Sequence, residues 1–206
     1  MTGTSRRDLL ALAAALAASP AFAQTAGTEA GGFATTSVAL TTPLGPIVIA
    51  LETQRAPITS ANFLRYVDRK LYDGASFYRA SRPKAATTDD FGLVEGGLPG
   101  HPERLLAPIA HESTAQTGLS HVDGTISIAR NAPGTAQADF FICLGQQTYL
   151  DATADQPGFA AFGHVTQGLE IVKQILVMPT DPDKGEGAMK GEILATPVPI
   201  TQARRA

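Results

Sequence analysis

The chain has a single cysteine, Cys143, in 206 residues. That excludes an internal disulfide framework and a cysteine-rich zinc site. Tryptophan is absent, and charged residues make up 17% of the chain with a net charge of -3. There is no basic excess of the kind nucleic-acid binding requires, so no nucleic-acid partner is expected. The N-terminal apolar run, Leu9 to Ala18, has ten residues, and no other stretch reaches the roughly 20 that a membrane-spanning helix needs. Phosphate-binding loops are missing too: Gly96-Gly97-Leu98-Pro99-Gly100 lacks a following Lys-Ser/Thr pair and reads as a turn. No Gly-x-Ser-x-Gly elbow occurs. The four histidines, His101, His111, His121 and His164, lack metal-ligand spacing. Cys143 sits within an apolar run and reads as a buried, inert thiol. The expected site therefore has no metal, no cofactor and no covalent nucleophile.

What remains is enough for a core. Hydrophobic residues are 44% of the chain, and the length suits one domain. Residues 1–23 read as an export signal of twin-arginine type. Arg6-Arg7 precedes the ten-residue apolar run, and Ser19-Pro20-Ala21-Phe22-Ala23 ends it with small residues. Cleavage after Ala23 removes two Arg and one Asp and leaves a net charge of -4. The expected location is periplasmic or secreted. Residues 24–35 read as a linker and 36–202 as the folded domain.

Within that domain, strand period dominates. Val38 to Glu52 reads as a hairpin, with Ile47, Ile49 and Leu51 alternating and Pro43-Leu44-Gly45-Pro46 as its turn. Pro57 and Thr59-Ser60 offer a helix start, and Leu64, Val67 and Leu71 continue at helical spacing until Asp73-Gly74. Thr125 to Ala129 alternates, and Phe140 to Leu144 is a continuous apolar run. Leu169, Val172 and Leu176 mark a second helix before Pro179. A last strand holds Ile193, Val198 and Ile200, with an interruption expected at Pro197. The pattern fits an antiparallel β-barrel closed at its ends by two helices. Two long segments, Arg79 to Phe91 and Leu98 to Asp123, fit no element.

Several short segments recur in a telling order. They are Ala56-Pro57 through Asn62-Phe63, Ser76-Phe77-Tyr78-Arg79, Leu93-Val94-Glu95-Gly96-Gly97, Ala129-Arg130-Asn131-Ala132-Pro133-Gly134, Asp139-Phe140-Phe141-Ile142, Tyr149-Leu150-Asp151 and Phe162-Gly163-His164-Val165. In order and spacing the chain resembles the cyclophilin family of peptidyl-prolyl isomerases over about residues 36 to 202. The resemblance implies a closed eight-stranded antiparallel β-barrel with a groove on its outer face. It also implies proline-containing peptide segments as partners; with the export signal these are expected to belong to exported proteins, and a monomer is expected.

The chemistry such a groove must do is modest. Rotation about an X-Pro bond faces a barrier of about 18–20 kcal/mol, which arises from lost amide resonance. No bond breaks. A fixed donor aimed at the prolyl nitrogen stabilises only the twisted state, whose lone pair has been freed. An acceleration of about 10⁵ needs about 7 kcal/mol of such selectivity. By the resemblance, Arg79 is that donor. Leu93, Phe141 and Leu150 line the proline pocket, and Tyr149 and Phe159 take the positions of flanking aromatics. Arg130 and Asn131 hold the peptide through their backbone. Phe141 has a competing role in the barrel core, since it and Phe140 must face opposite ways.

This chain also departs from the family pattern. Tyr78 replaces a histidine. A pocket phenylalanine becomes Gly92, with Phe91 adjacent. Two glutamines become the acids Glu95 and Asp139, which are expected to orient or neutralise Arg79 if they lie near it. Paired carboxylates also suit glycoside hydrolysis, a reading that leaves the other segments unused. A further alternative keeps the fold but makes the groove a proline-peptide binding module or chaperone with little isomerase activity.

Overall fold

The computed structural model describes residues 32–83, 88 and 90–206. The export signal and residues 24–31 of the linker lie outside the described residues. Nine strands form one antiparallel sheet: β1 (Thr36–Thr42), β2 (Gly45–Leu51), β3 (Ala75–Ser81), β4 (Gly92–Gly97), β5 (Thr125–Ile128), β6 (Phe140–Leu144), β7 (Ala160–Gln167), β8 (Ile193–Ile200) and β9 (Gln202–Arg205). Their order is β8-β3-β4-β6-β5-β7-β2-β1-β9. The two edge strands, β8 and β9, are consecutive in the chain and meet at Thr201, whose N–H donates to Thr41 O at 2.8 Å. One bent terminal strand thus serves both edges of a nearly closed barrel. With β8 and β9 counted as one bent strand the strands number eight, as expected; counted separately they number nine.

The hairpin β1–β2 pairs Thr42 with Gly45 around Pro43-Leu44. Phe140 points inward and is fully buried, with ring centroids 5.4 Å from Phe63 and 5.9 Å from Phe77. Phe63 also meets Tyr72 and Phe162 at 5.0 and 5.5 Å, so aromatic side chains fill the middle of the core. Helix α1 (Pro57–Asp68) packs on β7 and β9, and α3 (Leu169–Leu176) packs on β2, β3 and β4. Both expected helices are present, and a single turn, α2 (Thr114–Thr117), adds a third.

Helix α1 starts at Pro57, as expected, but ends at Asp68, short of the expected stop at Asp73-Gly74. Ala56 occupies the cap position without a side-chain bond. The cap comes instead from Glu112, whose carboxylate accepts from the N–H groups of Ile58 and Thr59 at 3.0 and 2.6 Å and from Thr59 Oγ1 at 2.7 Å. The long 98–123 segment is therefore part of the fold. Leu106 N donates to the Tyr66 hydroxyl, Arg104 donates to the carbonyls of Leu71 and Asp73, and Ile109 bridges to Ala136. The last strand also differs, because it is continuous through Pro197. The proline falls instead where the β3–β8 register jumps, from Phe77 opposite Val198 to Arg79 opposite Ile193.

Candidate functional site

The register builds the site. Phe77 and Arg79 are two apart, so a regular strand would put both on one face. Opposite them, β4 advances by only one residue, from Gly96 to Glu95. Tyr78 is the extra residue of a β-bulge, and it rotates Arg79 to the face opposite Phe77. Phe77 is fully buried in the core, whereas Arg79 lines an outer groove. One row of paired residues then crosses three strands: Arg79 opposite Glu95, and Glu95 opposite Phe141. The next outward row pairs Ser81 with Leu93. Between them, Ala80, Val94 and Ile142 turn into the core.

The groove has a volume of about 650 Å³. Arg79, Leu93, Glu95, Arg130, Asn131, Asp139, Phe141, Tyr149, Leu150 and Phe159 all line it. Phe141 faces the groove and Phe140 the core, so the two phenylalanines divide as strand geometry requires. Phe141 stands edge-on to Phe159 at 5.4 Å and lies parallel to the His121 ring at 6.0 Å. The Arg130 guanidinium sits 4.9 Å over the Phe159 ring and donates to Gly158 O, so its side chain braces that wall. Tyr149 is 68% exposed at the rim, and its hydroxyl donates to Gln147 Oε1 at 2.9 Å.

Arg79 is held from two sides. Its Nη1 donates to Glu95 Oε2 at 2.7 Å, while its Nε and Nη2 donate to Glu192 Oε2 at 2.9 and 2.7 Å. Burial works to lower the Arg79 pKa, but these two carboxylates outweigh it and hold the pKa above its ordinary value. Tyr78 donates its hydroxyl to Glu95 Oε1 at 2.8 Å. Burial, with Glu95 beside it, pushes the Tyr78 pKa well up and keeps the phenol neutral.

Asp139 does not bond Arg79. It accepts from Leu98 N at 2.9 Å, and burial raises its pKa. Gly97, at φ +152°, makes room for it, since a Cβ there would run into the Asp139 carboxylate. Glu95 is engaged by Arg79 and Tyr78, and Asp139 by Leu98 N, so these two acids do not stand as a free carboxylate pair for glycoside hydrolysis. Gly92 admits no side chain either, because a Cβ would strike Ser81 O. Phe91 does not take the pocket position: it packs against Gly145 and is not among the groove's lining residues.

Below Phe141 lies a buried polar chain. His121 is fully buried, with Nδ1 2.5 Å from Asp151 Oδ1 and Nε2 3.0 Å from Ser127 Oγ. The order Ser-His-Asp matches that of a hydrolytic triad. Ser127, however, is fully buried and out of reach of any substrate. Burial lowers the His121 pKa. The neutral imidazole, bonded on both nitrogens, thus forms a rigid floor for Phe141. Cys143 is buried as expected, and burial pushes its thiol up to about 12.

Glu192, Ser81 and Met189 are groove-region residues that the sequence did not single out. Met189 and Glu186 arrive on a self-bonded turn in which Lys190 Nζ donates to Asp183 O at 2.5 Å and Gly191 N to Lys184 O at 2.8 Å. No helix among the described residues is long and apolar enough to cross a membrane.

Comparison with known proteins agrees with this geometry. A family model described as "Cyclophilin type peptidyl-prolyl cis-trans isomerase/CLD" matches residues 37–204. A peptidyl-prolyl cis-trans isomerase of Acinetobacter baylyi is 34% identical over 155 residues, covering 74% of this chain and 78% of that protein. Peptidyl-prolyl cis-trans isomerase A of Dickeya dadantii is 33% identical over 181 residues, covering 86% of this chain and 87% of that protein. Among solved structures, a cyclophilin-type isomerase of Cryptosporidium parvum superposes with a TM-score of 0.65 at 18% identity. That match covers 84% of this chain and 98% of the other.

Proposed function

The chain belongs to the cyclophilin-type peptidyl-prolyl cis-trans isomerase family, and we propose that it isomerises X-Pro bonds in exported proteins, with Arg79 as the donor to the twisted amide. The enzyme is a cyclophilin-type isomerase; the class of client and the roles of single residues are our reading. The observation that carries the role of Arg79 is its place. It stands at the groove wall in the row that also holds Phe141, with its guanidinium fixed before any peptide arrives. A donor already oriented costs no reorganisation when the nitrogen lone pair appears. Of the five guanidinium N–H groups, three are engaged. One N–H on each Nη is left for substrate.

The apolar side of the groove supports the rest of the reading. Phe141, Leu150 and Leu93 offer a surface on which a proline ring can rest while the other half of the bond turns. A second solved structure of the Cryptosporidium parvum isomerase was obtained in the presence of the dipeptide Ala-Pro, which fits a groove of this kind.

Exported clients are proposed from Arg6-Arg7, the short apolar run and the Ala23 end. Mass spectrometry of the extracytoplasmic fraction of the source cell should find a chain beginning at or near Gln24. An intact Met1 chain confined to the cytoplasm would remove that part of the proposal.

A further inference from the structure

Glu192 occupies a position that the register jump between β3 and β8 creates. Between Val198 opposite Phe77 and Ile193 opposite Arg79, four residues of β8 face the single residue Tyr78. The slack brings Glu192 back beside β3, where its carbonyl accepts from Ala80 N at 3.0 Å. Its side chain then lies between two outward residues of β3. Oε2 accepts from both Nε and Nη2 of Arg79, and Oε1 accepts from Ser81 Oγ at 2.8 Å. Glu95 holds Nη1, so the guanidinium is gripped along two different edges.

We infer that Glu192 is a second positioning residue for the isomerase: it fixes the plane of the Arg79 guanidinium and, by its charge, weakens the field that guanidinium presents to the prolyl nitrogen. The inference rests on the reading of Arg79 as the donor. Its two parts act in opposite directions on rate, and different substitutions separate them. Alanine removes both the acceptor and the charge, leaving Nε and Nη2 without their partner. Glutamine keeps an acceptor of the same shape and removes only the charge. The charge effect should be smaller than at Glu95, because the Glu192 side chain is 24% exposed against 9% and is better screened by water.

The test is isomerase turnover of an Ala-Pro peptide together with the Arg79 Nε–H signal in ¹H–¹⁵N NMR, assigned by its loss in Arg79→Ala. Glu192→Ala should lower kcat/KM about tenfold through kcat, with KM little changed, and should broaden the Nε–H signal by faster exchange. Glu192→Gln should raise kcat/KM about threefold and keep the Nε–H signal, shifted upfield. Backbone amide spectra report whether each variant folds, and Glu192→Gln is isosteric. Both substitutions moving turnover in one direction, neither moving it, or an Nε–H signal indifferent to Glu192→Ala would overturn the inference alone, provided Arg79→Ala is inactive. Wild-type turnover in Arg79→Ala would instead refute the donor assignment and take the inference with it.

Discussion

Replacing Glu95 by glutamine probes how a carboxylate beside the donor sets the rate. The resemblance sets a glutamine of the family pattern against this position, and glutamine has the shape of glutamate without its charge. In this structure Glu95 is buried, not turned to solvent, and bonds Arg79 Nη1 and the Tyr78 hydroxyl. Glutamine can keep both contacts: its oxygen accepts from Nη1, and its amide donates to the Tyr78 oxygen, which also accepts. Orientation is thus preserved and charge alone is lost, while Glu192 still holds the other edge of the guanidinium. Take the twisted nitrogen to carry about 0.4 of an elementary charge and to accept a hydrogen bond from the Arg79 guanidinium; two successive hydrogen-bond lengths, the first being the 2.7 Å from Glu95 Oε2 to Nη1, then put it roughly 5 Å from the carboxylate. At an effective dielectric of about 20 the repulsion is about 1.3 kcal/mol. Removing it should raise kcat/KM about tenfold. A protease-coupled assay or NMR exchange on an Ala-Pro peptide measures this directly. A lower kcat/KM in Glu95→Gln would refute the reasoning, because orientation would then outweigh field. An unchanged value would show that the carboxylate does not reach the reacting nitrogen.

Three further outcomes follow from the same geometry. Arg79→Ala should lower kcat/KM by about 10²–10³, as for one lost preorganised donor, while peptide affinity measured by titration changes much less. Stability should fall as the pH drops below the ordinary histidine range, about 6.5. The folded state holds the His121 pKa low, so between the folded and unfolded values the unfolded chain binds the extra proton and is favoured. Asp151 adds to the loss at lower pH: burial works to raise its pKa, but bonds from Ser120 and His121 bring it below the ordinary value. Urea melts at pH 7 and 5 should show the drop, with a smaller one in His121→Gln. Glu112→Ala should cost about 2 kcal/mol in the same melts, since it leaves the first N–H groups of α1 without their acceptor.

Local pattern made much of this legible. The alternation of Ile47, Ile49 and Leu51, the apolar run at Phe140 and the helical spacing of Leu169, Val172 and Leu176 each report a side chain's own surroundings. The missed features all depend on partners far along the chain. Glu112 caps a helix that starts more than fifty residues earlier, and no signal near Pro57 points to it. The bulge at Tyr78 is visible only against β4; by period alone Arg79 would share the buried face of Phe77. Glu192 lies beside Arg79 because β8 skips register, a choice made by the ladder and not by the residues around Glu192. Positions of the groove that lie in recurring segments were therefore readable, whereas the acid on its far side was not.

The bent terminal strand has a consequence for biosynthesis. Because β8 pairs with β3 and β9 with β1, a single stretch near the end of the chain supplies the partner for both open edges. A nascent chain that has not yet released residues 193–205 has two unpaired strand edges and no means of joining them. Such edges invite pairing with other chains. The barrel can therefore close only once residues 193–205 are free to pair, and the same stretch fastens both sides.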